Sequence, residues 1–213
     1  MFKLFRTKGF FAYTLMIFLN AFVDLGHKIV IQNTILKIYE GQTQIILIAI
    51  VNALILLPFI LLFTPAGFLS DKFPKNRVMR FSAWVVLLLT SLITLFYYLG
   101  WFWPAFCMTF ILAMQSAFYS PAKYGYIKEL VGKDRLAVAN GVVQAATTIA
   151  ILAGIFIYSV LFEIMLSGEE YDSKSDILLL IAPLGWFLVC NAVIELTSAH
   201  FLPQQKETDR VRV

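Results

Sequence analysis

Apolar residues along this chain come in long unbroken runs rather than in alternation. The runs cover about 10–33, 43–69, 78–99, 102–122, 136–163 and 177–201. Each is close to the ~20 residues that an α-helix needs to cross the hydrocarbon of a bilayer. None keeps the period of two that marks a half-buried strand. The pattern predicts an all-α polytopic membrane protein, with six transmembrane helices in residues 1–202, short connections and a polar tail over 203–213. Pro58 and Pro65 fall inside the second run and are expected to bend it and free backbone carbonyls.

Composition supports the bilayer as the solvent. Only 14% of the residues are charged and 60% are apolar, with 20 Phe among 213 residues. A soluble domain carries roughly a quarter charged residues, so this chain lacks the polar surface to stand in water. Six crossings leave no room for a soluble catalytic domain. Lys3, Arg6 and Lys8 ahead of the first run look like the start of a signal peptide. No small-x-small cleavage site follows, and the run holds Asn20 and Asp24, so the first helix is expected to stay. Cys107 and Cys190 both sit inside apolar runs, where they behave as small hydrophobes. No disulfide, zinc or haem spacing is present, and no cofactor and no metal are expected.

Charge then orients the helices. The net charge is +4 and the pI about 9.0, but the basic residues form short clusters between apolar runs, which argues for topology and against nucleic acid. Of the 17 Lys and Arg residues, all but Lys28, Lys37 and Lys174 fall in the N-terminus, the connections around 72–80 and 123–135, and the tail. The intervening connections are uncharged (100–104) or acidic (Glu169, Glu170 and Asp172). The excess of Lys and Arg on one side predicts that both termini are cytoplasmic. Tyr97, Tyr98, Trp101 and Trp103 then form an external interfacial belt.

Several polar residues stand out against this background. Asp24 falls near the bilayer midplane, and a charge at that depth is expensive unless it faces a cavity or a partner. His27 and Lys28 follow at i+3 and i+4 and are expected to share its face. Asp24 is therefore either a ligand contact or half of a structural pair with Lys28. Lys123, after Pro121, is either a phosphate-binding point charge or a topology signal. Tyr119, Tyr124 and Tyr126 beside it are interfacial anchors or ligand contacts. In the fifth run, the small-residue rows Ala137, Gly141, Ala145 and Ala146, Ala150, Gly154 are expected to allow close helix packing. Asn140 and Gln144 lie beside the first row, placed to bond across helices or to a headgroup. Glu195, near the end of the last run, is either a titrating group or, so close to the interface, a solvated one, and the second is the expectation.

The connection Gly67-Phe68-Leu69-Ser70-Asp71-Lys72-Phe73-Pro74-Lys75-Asn76-Arg77 resembles the signature loop of the major facilitator superfamily, which lies between helices two and three and latches the cytoplasmic gate. Gly67 is expected to admit a close helix, and Asp71 to pair with Arg77 or cap a helix. The resemblance implies gating roles for Gly67, Asp71, Lys72 and Arg77. Four segments are similar to the bacterial lysophospholipid transporter family: 18–24 (FLNAFVD), 63–73 (FTPAGFLSDKF), 115–125 (QSAFYSPAKYG) and 139–144 (ANGVVQ). The chain departs from that family at Val23 and Leu25, which flank Asp24 where Asn is usual, and at Gln144 where Glu is usual.

That resemblance implies one N-terminal six-helix half, built as a 3+3 inverted repeat, with the substrate site between two halves. It implies movement of lysophospholipid across the bacterial inner membrane and sites at Asp24, Lys28, Asn52, Lys123, Tyr124, Asn140 and Gln144. The implied partners are the phospholipid membrane and a second six-helix half or a second copy. An acyltransferase is a further one, since the family's module also occurs fused ahead of such domains. A general solute or drug facilitator fragment, or a nontransporting truncated membrane module, are the other readings. A Walker A loop, a GxSxG elbow and an HExxH pair are all absent, and His27 and His200 lack the acyltransferase spacing, so no catalysis is expected.

Overall fold

The computed structural model describes residues 2–203, so the polar tail expected over 203–213 lies, beyond its first residue, outside the described residues. The chain folds into α1 (Phe2–Phe5), α2 (Phe10–Ile38), α3 (Gly41–Leu61), α4 (Phe63–Lys72), α5 (Lys75–Tyr98), α6 (Phe102–Val131), α7 (Leu136–Leu166), α8 (Lys174–Leu180) and α9 (Leu184–His200). Five helices, α2, α3, α5, α6 and α7, are each long and apolar enough to span a membrane. Together α8 and α9 make a sixth span, bent by 57°. Helices satisfy every backbone group internally, the condition for crossing hydrocarbon.

The breaks follow the prolines. Pro65 has no N–H for the Leu61 carbonyl, and the second span is interrupted at Leu62, between α3 and α4. The run at 177–201 was expected to be one helix, and here the structure corrects the sequence. Pro183 cannot bond the Leu179 carbonyl, the Ala182 N–H takes that carbonyl instead at 3.4 Å, and the helix restarts at Leu184. The fourth span differs in the other direction. Its apolar run ends near 122, but α6 continues through Lys123 and Lys128 to Val131. The fall in hydropathy there marks a change of surroundings rather than the end of the helix. Gly132, at φ +77°, supplies the stop.

Packing has an internal symmetry. α2 packs on α7 and α9, while α6 packs on α3, α4 and α5; α2 also meets α6, and α5 meets α9. Exchanging the first three spans with the last three maps these contacts onto one another. Three crossings per repeat invert the second repeat relative to the first, which is the 3+3 inverted repeat that the resemblance implied. One small-residue row serves this packing. A Cβ on Gly154 would lie 3.1 Å from the Phe22 carbonyl, so α7 and α2 touch backbone to backbone there. The other row does not pack as expected. Ala137, Gly141 and Ala145 are exposed, with open space over Gly141.

The interior is layered along the helices. One apolar cluster holds Val30, Ile31, Ile93, Phe102, Phe106 and Phe162. A second holds Phe10, Tyr13, Met16, Tyr126 and Leu130, at the end carrying the basic clusters. Between them lie Asn20, Ser82, Gln115, Ser116 and Glu195, all buried. At the basic end Lys75 pairs with Glu129 at 2.5 Å. There the Arg80 guanidinium donates to the Ala199, His200 and Leu202 carbonyls that close α9, a cation meeting the negative end of a helix. At the opposite end Lys37 pairs with Glu163 at 2.8 Å. Lys174 there sits 4.6 Å from the Trp103 ring centre and donates to the Tyr39 hydroxyl at 3.0 Å.

Candidate functional site

A cavity of about 240 Å³ opens between α2, α3, α6 and α7. Its walls differ in chemistry. The polar groups come mainly from α2 and α6, as Asn20, Asp24, Thr109, Ser116 and Lys123 set among Leu25 and Leu112, whereas α3 and α7 contribute Ile55, Phe59 and Ile151, with Thr147 spending its hydroxyl on the Val143 carbonyl. The polar wall has a simple helical origin. Asn20 and Asp24 are one turn apart on α2. Thr109, Ser116 and Lys123 recur every seven residues on α6, which returns them to one face.

Ser116 Oγ donates to Asp24 Oδ2 at 2.5 Å and lies 3.4 Å from Asn20 Oδ1. A hydroxyl has one proton, and the shorter, charge-assisted bond to the carboxylate takes it. The second Asp24 oxygen has no partner among the described residues. Lys123 is within electrostatic range of Asp24, but the two form no ion pair within 4.0 Å among the described residues. The ammonium of Lys123 lies 5.1 Å from the Tyr124 ring centre. Its backbone carbonyl accepts from the Tyr13 hydroxyl at 2.7 Å, which ties α6 to α2 just past Pro121. A carboxylate, a hydroxyl and an ammonium thus line one wall, facing an apolar wall across the cavity. The arrangement suits an amphiphile with a zwitterionic head.

Of the residues singled out in the sequence, the structure brings Asp24, Tyr119, Lys123 and Tyr124 together at the cavity. Lys28 is half-buried on α2 and does not line it. Among the described residues it forms no ion pair with Asp24. His27 does not share the face of Asp24 as expected. It is fully buried outside the cavity lining, with Nδ1 2.8 Å from the Tyr97 hydroxyl and Nε2 3.1 Å from the Ala105 carbonyl. The reason is angular: positions i+3 and i+4 flank residue i and stand about 100° from each other. Asn52 turns back on its own helix and donates to the Ile48 carbonyl at 3.0 Å. Asn140 and Gln144 are exposed on α7, outside the cavity.

The signature loop is open in this structure. Nothing lies within 4 Å of a Cβ placed on Gly67, so the close helix expected there is not among the described residues. Asp71 and Arg77 are exposed and form no ion pair with each other among the described residues. The Lys72 ammonium lies 5.7 Å from the Phe68 ring centre and 5.9 Å from that of Phe73.

The sequence reading missed Ser116, Thr109 and Asn20. Their signal was available: a seven-residue polar spacing on an apolar helix, and an amide one turn before an intramembrane carboxylate. Glu195 was expected in solvent and is instead fully buried, beside Asn20. Its nearness to the end of the apolar run was misleading, because α9 tucks beneath the Arg80 clasp.

A family model described as transmembrane secretion effector matches residues 38–182. The lysophospholipid transporter LplT of Photorhabdus laumondii is 36% identical over 151 residues, covering 70% of this chain and 35% of that protein. The transporter of the same name from an Enterobacter species is 37% identical over 152 residues, with the same coverage. That of Escherichia fergusonii is 38% identical over 95 residues, 44% of this chain and 22% of the relative. The chain therefore matches about a third of the length of these curated relatives, or less. No solved structure matches it.

Proposed function

The chain belongs to the transmembrane secretion effector family of the major facilitator superfamily, and we propose that it is one six-helix half of a lysophospholipid transporter of the bacterial inner membrane. The observation that carries the reading is the two-walled cavity, where Asp24 and Lys123 face Ile55, Phe59 and Ile151. A lysophospholipid has one acyl chain, a phosphate and often an ammonium. Asp24 takes the ammonium, Lys123 the phosphate, and the apolar wall the start of the acyl chain. Tyr124 borders the phosphate position. Lys28, Asn52, Asn140 and Gln144 do not line the cavity, and in this reading they meet the lipid outside it.

Transport is alternating access between two such halves, since the substrate path in this architecture runs along the interface of the repeats. A second six-helix half, or a second copy of this one, completes the path. Both termini lie in the cytoplasm, which puts Gly67, Asp71, Lys72 and Arg77 at the inner gate. An acyltransferase that consumes the delivered lysolipid is the partner enzyme this reading implies.

A fluorescent lysolipid flip assay on purified chain in vesicles tests it, with the chain alone and mixed with a second six-helix chain. Saturable movement that depends on Asp24 is the expected result. Movement indifferent to lysolipid concentration and to Asp24 would overturn the reading.

A further inference from the structure

At the end of the bundle opposite the basic clusters, three aromatic rings close around one ammonium. Lys174 Nζ lies 4.6 Å from the Trp103 ring centre and 5.7 Å from those of Tyr39 and Phe102. It donates to the Tyr39 hydroxyl at 3.0 Å. Such a cage attracts a cation through the negative faces of its rings. The rings are held without help from the lysine. Phe102 is buried in the apolar core. Trp103 is braced edge-on by Phe102 and Phe106, at 5.2 and 5.7 Å between ring centres. Tyr39 ends α2, where the Gln44 amide donates to its carbonyl at 2.6 Å. A Cβ on Gly100 would lie 3.3 Å from the Ser175 carbonyl, so the connection ahead of α6 presses on the start of α8.

Lys174 is a poor permanent occupant of this cage. It opens α8, and the first turn of a helix disfavours a cation. No carboxylate lies within 4.0 Å of it among the described residues, although the connection before it is acidic. Asp176 spends its carboxylate on the Ser173 N–H and hydroxyl, at 2.9 and 2.8 Å. Glu163 is paired with Lys37. Glu169, Glu170 and Asp172 are exposed, and their charge draws cations toward this end. The Lys174 ammonium is therefore held by rings and one phenol oxygen, contacts that any other ammonium can make. Trp103 is 47% exposed, which leaves the cage open on one side. Tyr98 and Trp101 are exposed beside it, and such a belt marks the headgroup level of a bilayer. The ammonium groups found at that level belong to phospholipid headgroups.

We propose that this cage is a docking site for the ammonium of an ethanolamine lysophospholipid, which takes the place of Lys174. The cage stands on its own geometry; that its lipid is the transported one rests on the reading above. The exchange balances charge. The lipid's ammonium enters the rings as the Lys174 ammonium leaves them. The lysine, on its flexible stem, then meets the phosphate that a two-carbon link joins to the bound nitrogen. No proton moves, and each charge keeps a partner. Docking also brings the lipid near the cavity. Thr109, on the polar wall, is six residues beyond Trp103 on α6, about 9 Å along the helix.

Fluorine NMR on the full chain in phosphatidylglycerol nanodiscs, with fluorotryptophan in place of tryptophan, tests this. The Trp103 resonance is identified by its loss in Trp103→Phe. Lysophosphatidylethanolamine is expected to shift it saturably, and lysophosphatidylglycerol, which has no ammonium, to leave it in place. Lys174→Met keeps the stem and vacates the cage. Soluble ethanolamine should then shift Trp103 at a several-fold lower concentration than in the unaltered chain. A Trp103 resonance that answers neither the ethanolamine lipid nor ethanolamine overturns the cage as a site, and so does an equal shift with both lysolipids. An equal response to diacyl phosphatidylethanolamine supports the cage and overturns its tie to the transported lipid. Saturable flipping with a silent Trp103 supports the transport reading and overturns this proposal. A shifting Trp103 without flipping supports the cage and tells against the transport reading. If Lys174→Met does not fold, the lipid titration of the unaltered chain decides.

Discussion

Asp24 and His27 lie within one turn of α2, at similar depth, and their surroundings are opposite. His27 is fully enclosed, and both ring nitrogens have partners, the Tyr97 hydroxyl and the Ala105 carbonyl, with Thr109 at 3.3 Å. Asp24 borders a cavity, uses one oxygen on Ser116 and leaves the other unmatched among the described residues. The first site fastens α2 to α5 and α6. The second leaves polar groups open where a ligand has room to enter. Burial alone does not separate structure from function in a membrane interior; the completeness of hydrogen bonding does.

Breaking the open site should give the largest effect. Asp24→Asn keeps the shape and removes the charge. Losing one member of a desolvated charge contact costs about 2–5 kcal/mol, so lysolipid flipping should fall on the order of a hundredfold. Abundance in the membrane should stay the same or rise, because an intramembrane charge has been removed. Flip rates normalised to folded protein check this. A variant that flips normally at normal abundance would make Asp24 a structural residue like His27.

The closed site should respond in the reverse sense. His27→Leu strands the Tyr97 hydroxyl and removes the interhelical bond to the Ala105 carbonyl. Interhelical hydrogen bonds within membranes contribute about 0.6 kcal/mol on average, up to about 1.7, so the loss should be about 1–2 kcal/mol of stability. Thermal unfolding in detergent reads it, and flipping per folded molecule should stay within about twofold. A large transport defect at unchanged stability would dissolve the contrast between the two sites.

The six spans and their pseudo-symmetry were legible because bilayer crossing imposes length and apolarity on the sequence. Asp24 was legible for the related reason that a charge in an apolar run is conspicuous, and Lys123 because it follows Pro121 at the edge of one. Partnerships were not legible. The i,i+4 spacing made Lys28 the natural mate of Asp24, yet the carboxylate took a hydroxyl from Ser116, 92 residues away. Helical spacing gives neighbours on one helix, whereas a membrane bundle satisfies its polar groups between helices. Glu195 was misjudged for the same reason, since its depth depends on how α9 is bent at Pro183 and clasped by Arg80.

Lys28 offers a smaller effect that sharpens the distinction further. It forms no ion pair among the described residues, and its stem gives the ammonium the reach to snorkel along α2. Lys28→Ala should therefore leave stability unchanged and weaken anionic headgroups by a few-fold in competition binding. Destabilisation repaired by adding Asp24→Asn would instead establish the structural pair that the spacing first indicated.

The smallest effect belongs to a contact that is complete but exposed. Lys37 and Glu163 are 2.8 Å apart, with side chains 31% and 57% exposed, and they join α2 to α7 at the end opposite the basic clusters. Water and salt screen such a pair, and holding two long side chains in one geometry opposes the Coulomb gain. Pairs of this kind contribute between 0 and about 1 kcal/mol. The backbone contact at Gly154, deeper along the same two helices, already fixes their separation. Glu163→Gln should accordingly change the unfolding temperature little, and any change should shrink as salt is raised. Flip rate should not move. The comparison with His27 then isolates the variable, because both contacts are satisfied and only one is enclosed. If Glu163→Gln destabilises the chain as much as His27→Leu and does so independently of salt, enclosure is not what gives the His27 site its weight, and α2 is held to the bundle from its end rather than from its middle.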